Sequence, residues 1–237
     1  ACLAGKSAIT KIEPSFNDSP ITIGGRIHNL NSDEYLDPKD KRRLDPFVQY
    51  GVIAAEQAIL DSRLLESDHD KGLVGVNFGS GIGGLSSIEN NHLNLQNQSY
   101  KKVSPFFVPG SIVNMISGLV SMKHGFMGPN YSMVTACSTG NHCIGSAARS
   151  IAYGEANIMI AGGAEAASSP LGIAGFIASR ALSTNSNPEE ASRPWDKHRD
   201  GFVLSDGAGA VVLEEYEHAK KRNAKIYAEV VGYGMSS

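Results

Sequence analysis

The sequence has little cysteine, little uninterrupted apolar sequence and little excess charge of either sign. Its three cysteines form no Cys-x-x-Cys or Cys-x-x-His pattern and cannot make a full disulfide set, which favours a reducing compartment, the cytoplasm, and indicates no metal site. No run of about 18 apolar residues occurs, so no membrane-spanning helix is predicted. The formal net charge of -3 gives no reason to expect a nucleic-acid partner.

Glycine, in contrast, is abundant, with 26 among 237 residues. A typical share is about 7%, so the excess predicts many tight turns and close backbone packing. The length is sufficient for a large hydrophobic core.

The most informative stretch surrounds Cys137. Tyr131–Ala136 is short, apolar and rich in residues that favour strands, and apolar residues at helical spacing follow Gly140 until Gly154. Asn157–Ala161 then predicts a second buried strand. Together these segments predict a βαβ unit with parallel strands, in which Cys137 lies where the first strand gives way to the helix.

This position favours a reactive thiol. The unpaired N–H groups and dipole of a helix's first turn stabilise a thiolate, which is the nucleophilic form of cysteine. Neighbouring N–H groups at a sharp strand-to-helix turn can also stabilise an oxyanion. The alternative is a buried structural cysteine, which is the commoner fate of a free cysteine.

A second glycine-rich segment, Gly79–Gly84, follows the predicted strand Gly72–Phe78 and satisfies the dinucleotide fingerprint Gly-x-Gly-x-x-Gly. A nucleotide site also requires a second strand ending in Asp or Glu about 20 residues later. The sequence that follows is instead polar and rich in amides. The fingerprint alone is therefore a weak indication of a nucleotide-binding module.

The run VTACSTGNHCIGSA around Cys137 resembles the nucleophile motif of the β-ketoacyl-acyl carrier protein synthases, the condensing enzymes of fatty acid synthesis. These enzymes belong to the thiolase-like superfamily, and the resemblance is closest to the elongating, FabF-like synthases of the second type. It extends in order over nearly the whole chain, through the segments Val74–Gly84, Lys102–Met115, Ala178–Arg222 and 226–237.

The resemblance implies an α/β fold with the layered αβαβα arrangement of thiolases, of which residues 1–237 are the N-terminal, nucleophile-bearing half. The family's first strand and its C-terminal half, which carries two histidines and a lysine, have no counterpart in the sequence. We therefore expect this segment alone neither to fold stably nor to be active. Within the chain, His142 and His198 are poor candidates for the base, because helical geometry rotates His142 by about 140° from Cys137 and His198 lies outside any catalytic motif of the family.

The implied reaction is the decarboxylative Claisen condensation of an acyl-enzyme with malonyl-acyl carrier protein, an acyl transfer in fatty acid elongation that requires no cofactor. The implied partners are acyl carrier protein and a second subunit in a homodimer. The implied nucleophile is Cys137, and the implied substrate pocket includes Phe107, Phe202 and Ile82. The resemblance places the glycine segment at this pocket, with Ile82 toward its far end, where side-chain bulk limits the length of the acyl chain. Basic residues implied to bind the carrier protein, with solvated surface charge as the alternative, are Lys39, Arg42, Arg43, Lys101 and Lys102.

Two other functions stay open from the residues. One is a thiolase or a polyketide-type synthase, although the SPFFVP and RPWD segments favour the fatty acid branch. The other is a non-catalytic or nucleotide-binding α/β module, which only the glycine segment supports.

Overall fold

The structure, a computed structural model, describes residues 2–236. The chain divides into two compact units. The first contains residues up to 30, Leu85–Val103 and Ala166–Gly207, and the second contains Asn31–Gly84, Ser104–Glu165 and residues 208–236.

The elements alternate between helix and strand through the second unit, as expected for an α/β protein. In chain order the strands are β1 (Thr10–Lys11), β2 (Ile23–Gly24), β3 (Val74–Gly79), β4 (Asn130–Tyr131), β5 (Ile158–Glu165) and β6 (Gly207–Glu214). The α-helices are α1 (Pro38–Arg43), α2 (Pro46–Ser62), α3 (Leu85–Asn97), α4 (Phe107–Ser111), α5 (Met115–His124), α6 (Thr139–Ala152), α7 (Pro170–Ala178) and α8 (Tyr216–Lys221). No helix among residues 2–236 is both long enough and apolar enough to cross a membrane.

The first unit is built around a small apolar cluster of Ile21, Ile173 and Leu182. Strands β1 and β2 pair antiparallel in it, and a bridge joins Leu182 to Phe202. Asp200 accepts hydrogen bonds from the Ser183 hydroxyl (2.7 Å) and the Thr184 N–H (3.0 Å). These bonds tie together the two ends of the long polar loop between Ser183 and Asp200.

The second unit contains a four-stranded sheet in the order β4-β3-β5-β6. Strand β3 pairs parallel with both β4 and β5, and every residue of β3 is buried. A strand buried along its whole length is covered on both faces, as in parallel α/β sheets. Helices α2, α5 and α6 pack on this sheet, which confirms the predicted α/β class and the βαβ unit around Cys137.

The strand predicted over Tyr131–Ala136 is much shorter than expected, because β4 ends at Tyr131. The buried Ser117 hydroxyl accepts the N–H of Phe78 (2.9 Å) and donates to the carbonyl of Tyr131 (2.9 Å). The Ser132 hydroxyl donates to the carbonyl of Phe78 (2.6 Å). Side-chain hydroxyls thus replace the next ladder bonds between β3 and the segment that leads to Cys137.

Other predicted elements also differ from the structure. The composition of Ile21–Ile27 and of Lys225–Val231 predicts a strand in each segment. The first strand is reduced to Ile23–Gly24, and the second does not form, since no neighbouring strand pairs with it among the described residues. The consecutive glycines Gly162 and Gly163 predict a turn, but they continue β5, where they pair with Phe78 and Gly79. The polar segment after Gly84 forms α3. Apolar residues at helical spacing predict an amphipathic helix from Pro46 to about Ser62. Helix α2 matches this prediction at both ends, with Asp45 capping its first turn.

Candidate active site

Cys137 lies on a sharp turn between the end of β4 and the start of α6, as the sequence predicts. Residues Ala136–Ser138 form one turn of 3-10 helix, and the Cys137 side chain is exposed. Ala136 has φ of 51°, in the left-handed region that is unfavourable for residues with a Cβ atom. Such a conformation costs of order 1–3 kcal/mol and persists only where surrounding contacts hold it. The strained backbone makes this turn a candidate functional site.

Thr139, the first residue of α6, supplies two of the contacts that hold the turn. Its buried hydroxyl accepts a hydrogen bond from the Thr135 N–H (2.9 Å) and donates to the Ala136 carbonyl (2.8 Å). The hydroxyl thus spans the strained residue from both sides. Thr139 was not among the predicted site residues, although a threonine at the beginning of a helix is a known signal for side-chain bonding to the backbone.

The glycine segment Gly79–Gly84 lies beside the nucleophile turn. A Cβ atom added to Gly81 would lie 2.7 Å from the Oε2 atom of Glu165 and 3.3 Å from the Ala136 carbonyl oxygen. Only glycine fits there without displacing its neighbours. The segment predicted as part of the acyl pocket and the turn carrying Cys137 are therefore brought together.

Glu165, at the end of β5, anchors the glycine segment through its side chain. Its Oε1 atom accepts a hydrogen bond from the Ser80 hydroxyl (2.9 Å), and its Oε2 atom accepts from the N–H groups of Gly81 (2.8 Å) and Ile82 (3.2 Å). Ser80 is buried, and its oxygen also accepts from the Gly83 N–H (2.9 Å). Glu165 was not predictable from the sequence, because no local pattern links it to residues more than 80 positions earlier.

Cys143, the other free cysteine that the structure describes, is fully buried in α6, in the second helical turn after Cys137. Burial raises the pKa of its thiol, which keeps it protonated and unreactive. Its carbonyl oxygen accepts a hydrogen bond from the Asn77 side-chain amide of β3 (3.0 Å). Cys143 is therefore a structural cysteine, and the exposed Cys137 is the candidate nucleophile.

The three predicted pocket residues occupy two different units. Ile82 in the glycine segment is 42% exposed and Phe107 at the start of α4 is half-buried, both in the second unit. Phe202 belongs to the first unit, where its ring packs edge-on against Phe176 at 5.3 Å between centroids. Their assignment to a substrate pocket stays a prediction.

The predicted carrier-protein residues are all exposed. Lys39, Arg42 and Arg43 lie on α1, which begins with Asp37 as its cap. Backbone N–H groups of Asp40 and Lys39 bonded to the Asp37 carboxylate lower its pKa. The Arg43 guanidinium stacks over the Phe106 ring at 4.0 Å from its centroid.

The remaining two basic residues, Lys101 and Lys102, follow α3 in the first unit and are likewise exposed. Exposure fits both a docking role and the alternative of solvated surface charge.

Neither candidate histidine is positioned by a contact with the nucleophile. The His142 ring packs edge-on against Tyr233, with 6.3 Å between centroids, and its Nδ1 atom is buried without a hydrogen-bond partner in residues 2–236. His198 is exposed in the polar loop, where its N–H donates to Asp196 (2.7 Å). Within the described part of the chain no three His, Cys, Asp or Glu side chains are arranged to hold a metal ion.

Comparison with known families and relatives gives a consistent result. The family model described as "Beta-ketoacyl synthase, N-terminal domain" matches residues 1–219. The 3-oxoacyl-[acyl-carrier-protein] synthase 2 of Vibrio cholerae is 56% identical over 238 residues, which cover 100% of this chain and 58% of the relative. The enzyme of the same name from Coxiella burnetii is 54% identical, with the same coverage. The chain thus spans little more than half the length of these curated relatives.

Solved structures agree with the fold. A β-ketoacyl synthase from Burkholderia phymatum superposes with a TM-score of 0.84 at 30% identity, over 97% of this chain and 57% of that chain. The AntDE:AntF structure, a type II PKS acyl-carrier protein in complex with its ketosynthase, also gives 0.84, at 31% identity, over 96% of this chain and 56% of that chain.

Proposed function

Because the chain belongs to the β-ketoacyl synthase family, we propose that it is the nucleophile-bearing part of a 3-oxoacyl-acyl carrier protein synthase that acts in fatty acid elongation. The observation that carries this proposal is the exposed Cys137 on a strained turn at the start of α6. Among residues 2–236, the N–H of Cys137 has no hydrogen-bond acceptor. This N–H is therefore available to an oxyanion.

The first half-reaction transfers the acyl group to the enzyme. The Cys137 thiolate attacks the carbonyl carbon of an acyl-carrier-protein thioester, and the N–H of Cys137 stabilises the oxyanion of the tetrahedral intermediate. Collapse of this intermediate breaks the original C–S bond and releases the carrier's phosphopantetheine thiolate. The product is a thioester between the acyl group and Cys137.

The second half-reaction forms the carbon–carbon bond. Malonyl-carrier protein loses carbon dioxide, and the electron pair left on its α-carbon attacks the acyl carbonyl on Cys137. Expulsion of the Cys137 thiolate restores the nucleophile. The product is a 3-oxoacyl-carrier protein two carbons longer than the acyl substrate, and the electron balance of the reaction requires no redox cofactor.

We further propose that Ile82, Phe107 and Phe202 line the acyl pocket, and that the exposed basic residues bind the acidic carrier protein. Lys39, Arg42 and Arg43 on one short helix concentrate positive charge at its exposed face, which favours encounter with an acidic partner. The complex of a ketosynthase with an acyl-carrier protein in AntDE:AntF supports this mode of partnership.

A homodimer is the assembly that we propose. Apolar side chains around α4 are unusually exposed, with Val108 59% and Ile112 41% accessible. Exposed apolar surface of this kind is typical of interaction sites. A neighbouring subunit covering this segment would remove it from water.

The two alternatives are less well supported. Identity is 56% to the elongation synthase of Vibrio cholerae but only 31% to the polyketide ketosynthase in AntDE:AntF, which favours the fatty acid branch. A nucleotide site at the glycine segment would need backbone N–H groups directed at phosphate. Those of Gly81 and Ile82 already donate to the Glu165 carboxylate, whose negative charge would repel a phosphate.

The experiment that tests the proposed nucleophile uses the full-length polypeptide containing these residues. Incubation with an acyl-carrier-protein thioester, followed by digestion and mass mapping, is expected to place the acyl group on Cys137. The Cys137→Ala variant should lose the adduct, whereas the control Cys143→Ala should keep it. An adduct on Cys143, or an unchanged adduct in Cys137→Ala, would overturn the proposal.

The carrier surface is tested by charge reversal in the same polypeptide. Arg42→Glu combined with Arg43→Glu should raise KM for acyl-carrier protein and flatten its salt dependence, while KM for an acyl-pantetheine thioester without the carrier stays unchanged. Lys220→Glu on α8, which reverses an exposed charge elsewhere, serves as the matched control. Equal effects on both substrates, or none, would leave these residues as solvated surface charge.

A further inference from the structure

The backbone of the glycine segment Gly79–Gly84 is held by the carboxylate of Glu165, a residue that takes no part in the proposed reaction. Strands β3 and β5 are parallel neighbours, and their pairing ends with Gly79 opposite Gly163. Glu165 lies two residues further along β5, at the carboxyl end of these two strands, where the glycine segment also begins. Its side chain therefore reaches the segment immediately after β3 ends.

The contacts between Glu165 and this segment use both carboxylate oxygens. Three donors, the Ser80 hydroxyl and the N–H groups of Gly81 and Ile82, converge on the carboxylate at 2.8–3.2 Å. Hydrogen bonds to an ionised acceptor are stronger than those between neutral groups. Three of them on consecutive residues fix the backbone from Ser80 to Ile82.

We propose that Glu165 is a positioning residue that sets the acyl-chain length accepted at Cys137, an inference that rests on the proposed function. The Glu165 carboxylate holds Ile82, the residue at the far end of the proposed acyl pocket, through its backbone N–H. The same carboxylate holds Gly81 against the Ala136 carbonyl, next to the nucleophile. One side chain thus determines the spacing between the reactive sulfur and the pocket residue that limits the chain.

A role in positioning differs measurably from a role in stability. General destabilisation lowers the amount of folded enzyme and reduces the rate equally for every substrate. A displaced Ile82 instead changes the rate for long acyl chains, which reach it, relative to short chains, which do not. The ratio of kcat/KM for a long and a short acyl thioester is therefore the informative quantity.

The test uses the full-length polypeptide with Glu165→Ala, Glu165→Gln and the matched control Glu155→Ala, an exposed glutamate before β5. We expect the long-to-short ratio to change about tenfold in Glu165→Ala, from the loss of the ionic hydrogen bonds to Gly81 and Ile82. Glu165→Gln should lie between parent and Glu165→Ala, because a carboxamide offers one acceptor oxygen instead of two. Amide hydrogen exchange at Gly81 and Ile82 should accelerate in the same order.

Ser80→Ala provides a second, independent route to the same contact. It removes the donor to Oε1 of Glu165 and the acceptor of the Gly83 N–H, and it should shift the long-to-short ratio in the same direction. If Glu165→Ala does not fold, Ser80→Ala and Glu165→Gln decide the question.

The outcomes separate this inference from the proposed function. If parent enzyme is not acylated on Cys137 by thioesters of any length, the proposed function fails and this inference fails with it. If parent enzyme is acylated but the long-to-short ratio in the Glu165 and Ser80 variants equals that in Glu155→Ala, only the positioning role is overturned.

Discussion

Replacing Thr139 by valine should slow the acylation of Cys137 strongly and lower the thermal midpoint of unfolding only modestly. Valine keeps the shape of the side chain and the methyl group that lies against β3, but removes the hydroxyl. That hydroxyl joins the Thr135 N–H to the Ala136 carbonyl across the strained residue. Its loss leaves both backbone groups without their side-chain partner.

The expected magnitude follows from two neutral hydrogen bonds. Each contributes about 1 kcal/mol net, so the turn loses about 2 kcal/mol of support. This is comparable to the strain of order 1–3 kcal/mol in a residue such as Ala136 with positive φ. The turn will then relax toward unstrained conformations that misplace the sulfur. A difference of about 2 kcal/mol corresponds to about 30-fold in rate.

The assay is single-turnover acylation of the full-length polypeptide by an acyl-carrier-protein thioester, measured by mass spectrometry beside the thermal midpoint. Thr139→Ser is the matched control, since it keeps the hydroxyl and removes the methyl group. We expect Thr139→Ser to retain most of the acylation rate and Thr139→Val to lose it. A Thr139→Val enzyme that acylates within about twofold of the parent would refute the idea that this hydroxyl holds the turn.

Two further predictions concern thiol reactivity and pH dependence. Iodoacetamide should alkylate the exposed Cys137 while Cys143 stays unmodified in the folded protein, because burial raises the pKa of Cys143; comparable labelling of both would contradict the assignment. Burial raises the pKa of Glu214, but hydrogen bonds from Arg222 and His218 outweigh it, so the pKa lies below its ordinary value. A lowered folded-state pKa means that this stabilisation is complete above about pH 4.3 and is lost as the pH falls through the folded pKa. Glu214→Gln should therefore lower the free energy of unfolding by about 3 kcal/mol at pH 7. The difference in thermal midpoint between this variant and the parent should become smaller as the pH is lowered. A difference that does not change with pH would contradict this prediction.

Local patterns predicted the parts of the fold that depend on neighbouring residues in the sequence. Helix α2 was predicted from Pro46 to Ser62 because its apolar spacing and its first proline are local signals. The position of Cys137 before α6 was predicted for the same reason. Lys225–Val231, equally suggestive of a strand by composition, forms none, since a strand requires a partner that composition does not specify.

The supporting contacts of the site were not predictable in this way. Glu165 bonds to residues 83 to 85 positions earlier, and only the pairing of β3 with β5 brings them together. The early end of β4 depends on Ser117, whose hydroxyl enters the ladder from α5. Neither interaction leaves a periodic or spaced signal in the sequence. Resemblance to a family pointed to Cys137 as the candidate nucleophile but gave no role to these polar side chains.

These contacts share one physical consequence. Because β4 ends at Tyr131, no sheet ladder continues to Cys137, and the segment after it is held largely by side-chain hydrogen bonds. A backbone ladder fixes a strand cooperatively, whereas single hydroxyl bonds each contribute only about 1 kcal/mol. Removal of the Thr139 hydroxyl should therefore disturb Cys137 before it unfolds the sheet, whose parallel β3-β5 pair is buried and continuous. Removal of the Ser117 hydroxyl should also weaken β3, because it leaves the buried Phe78 N–H without its acceptor.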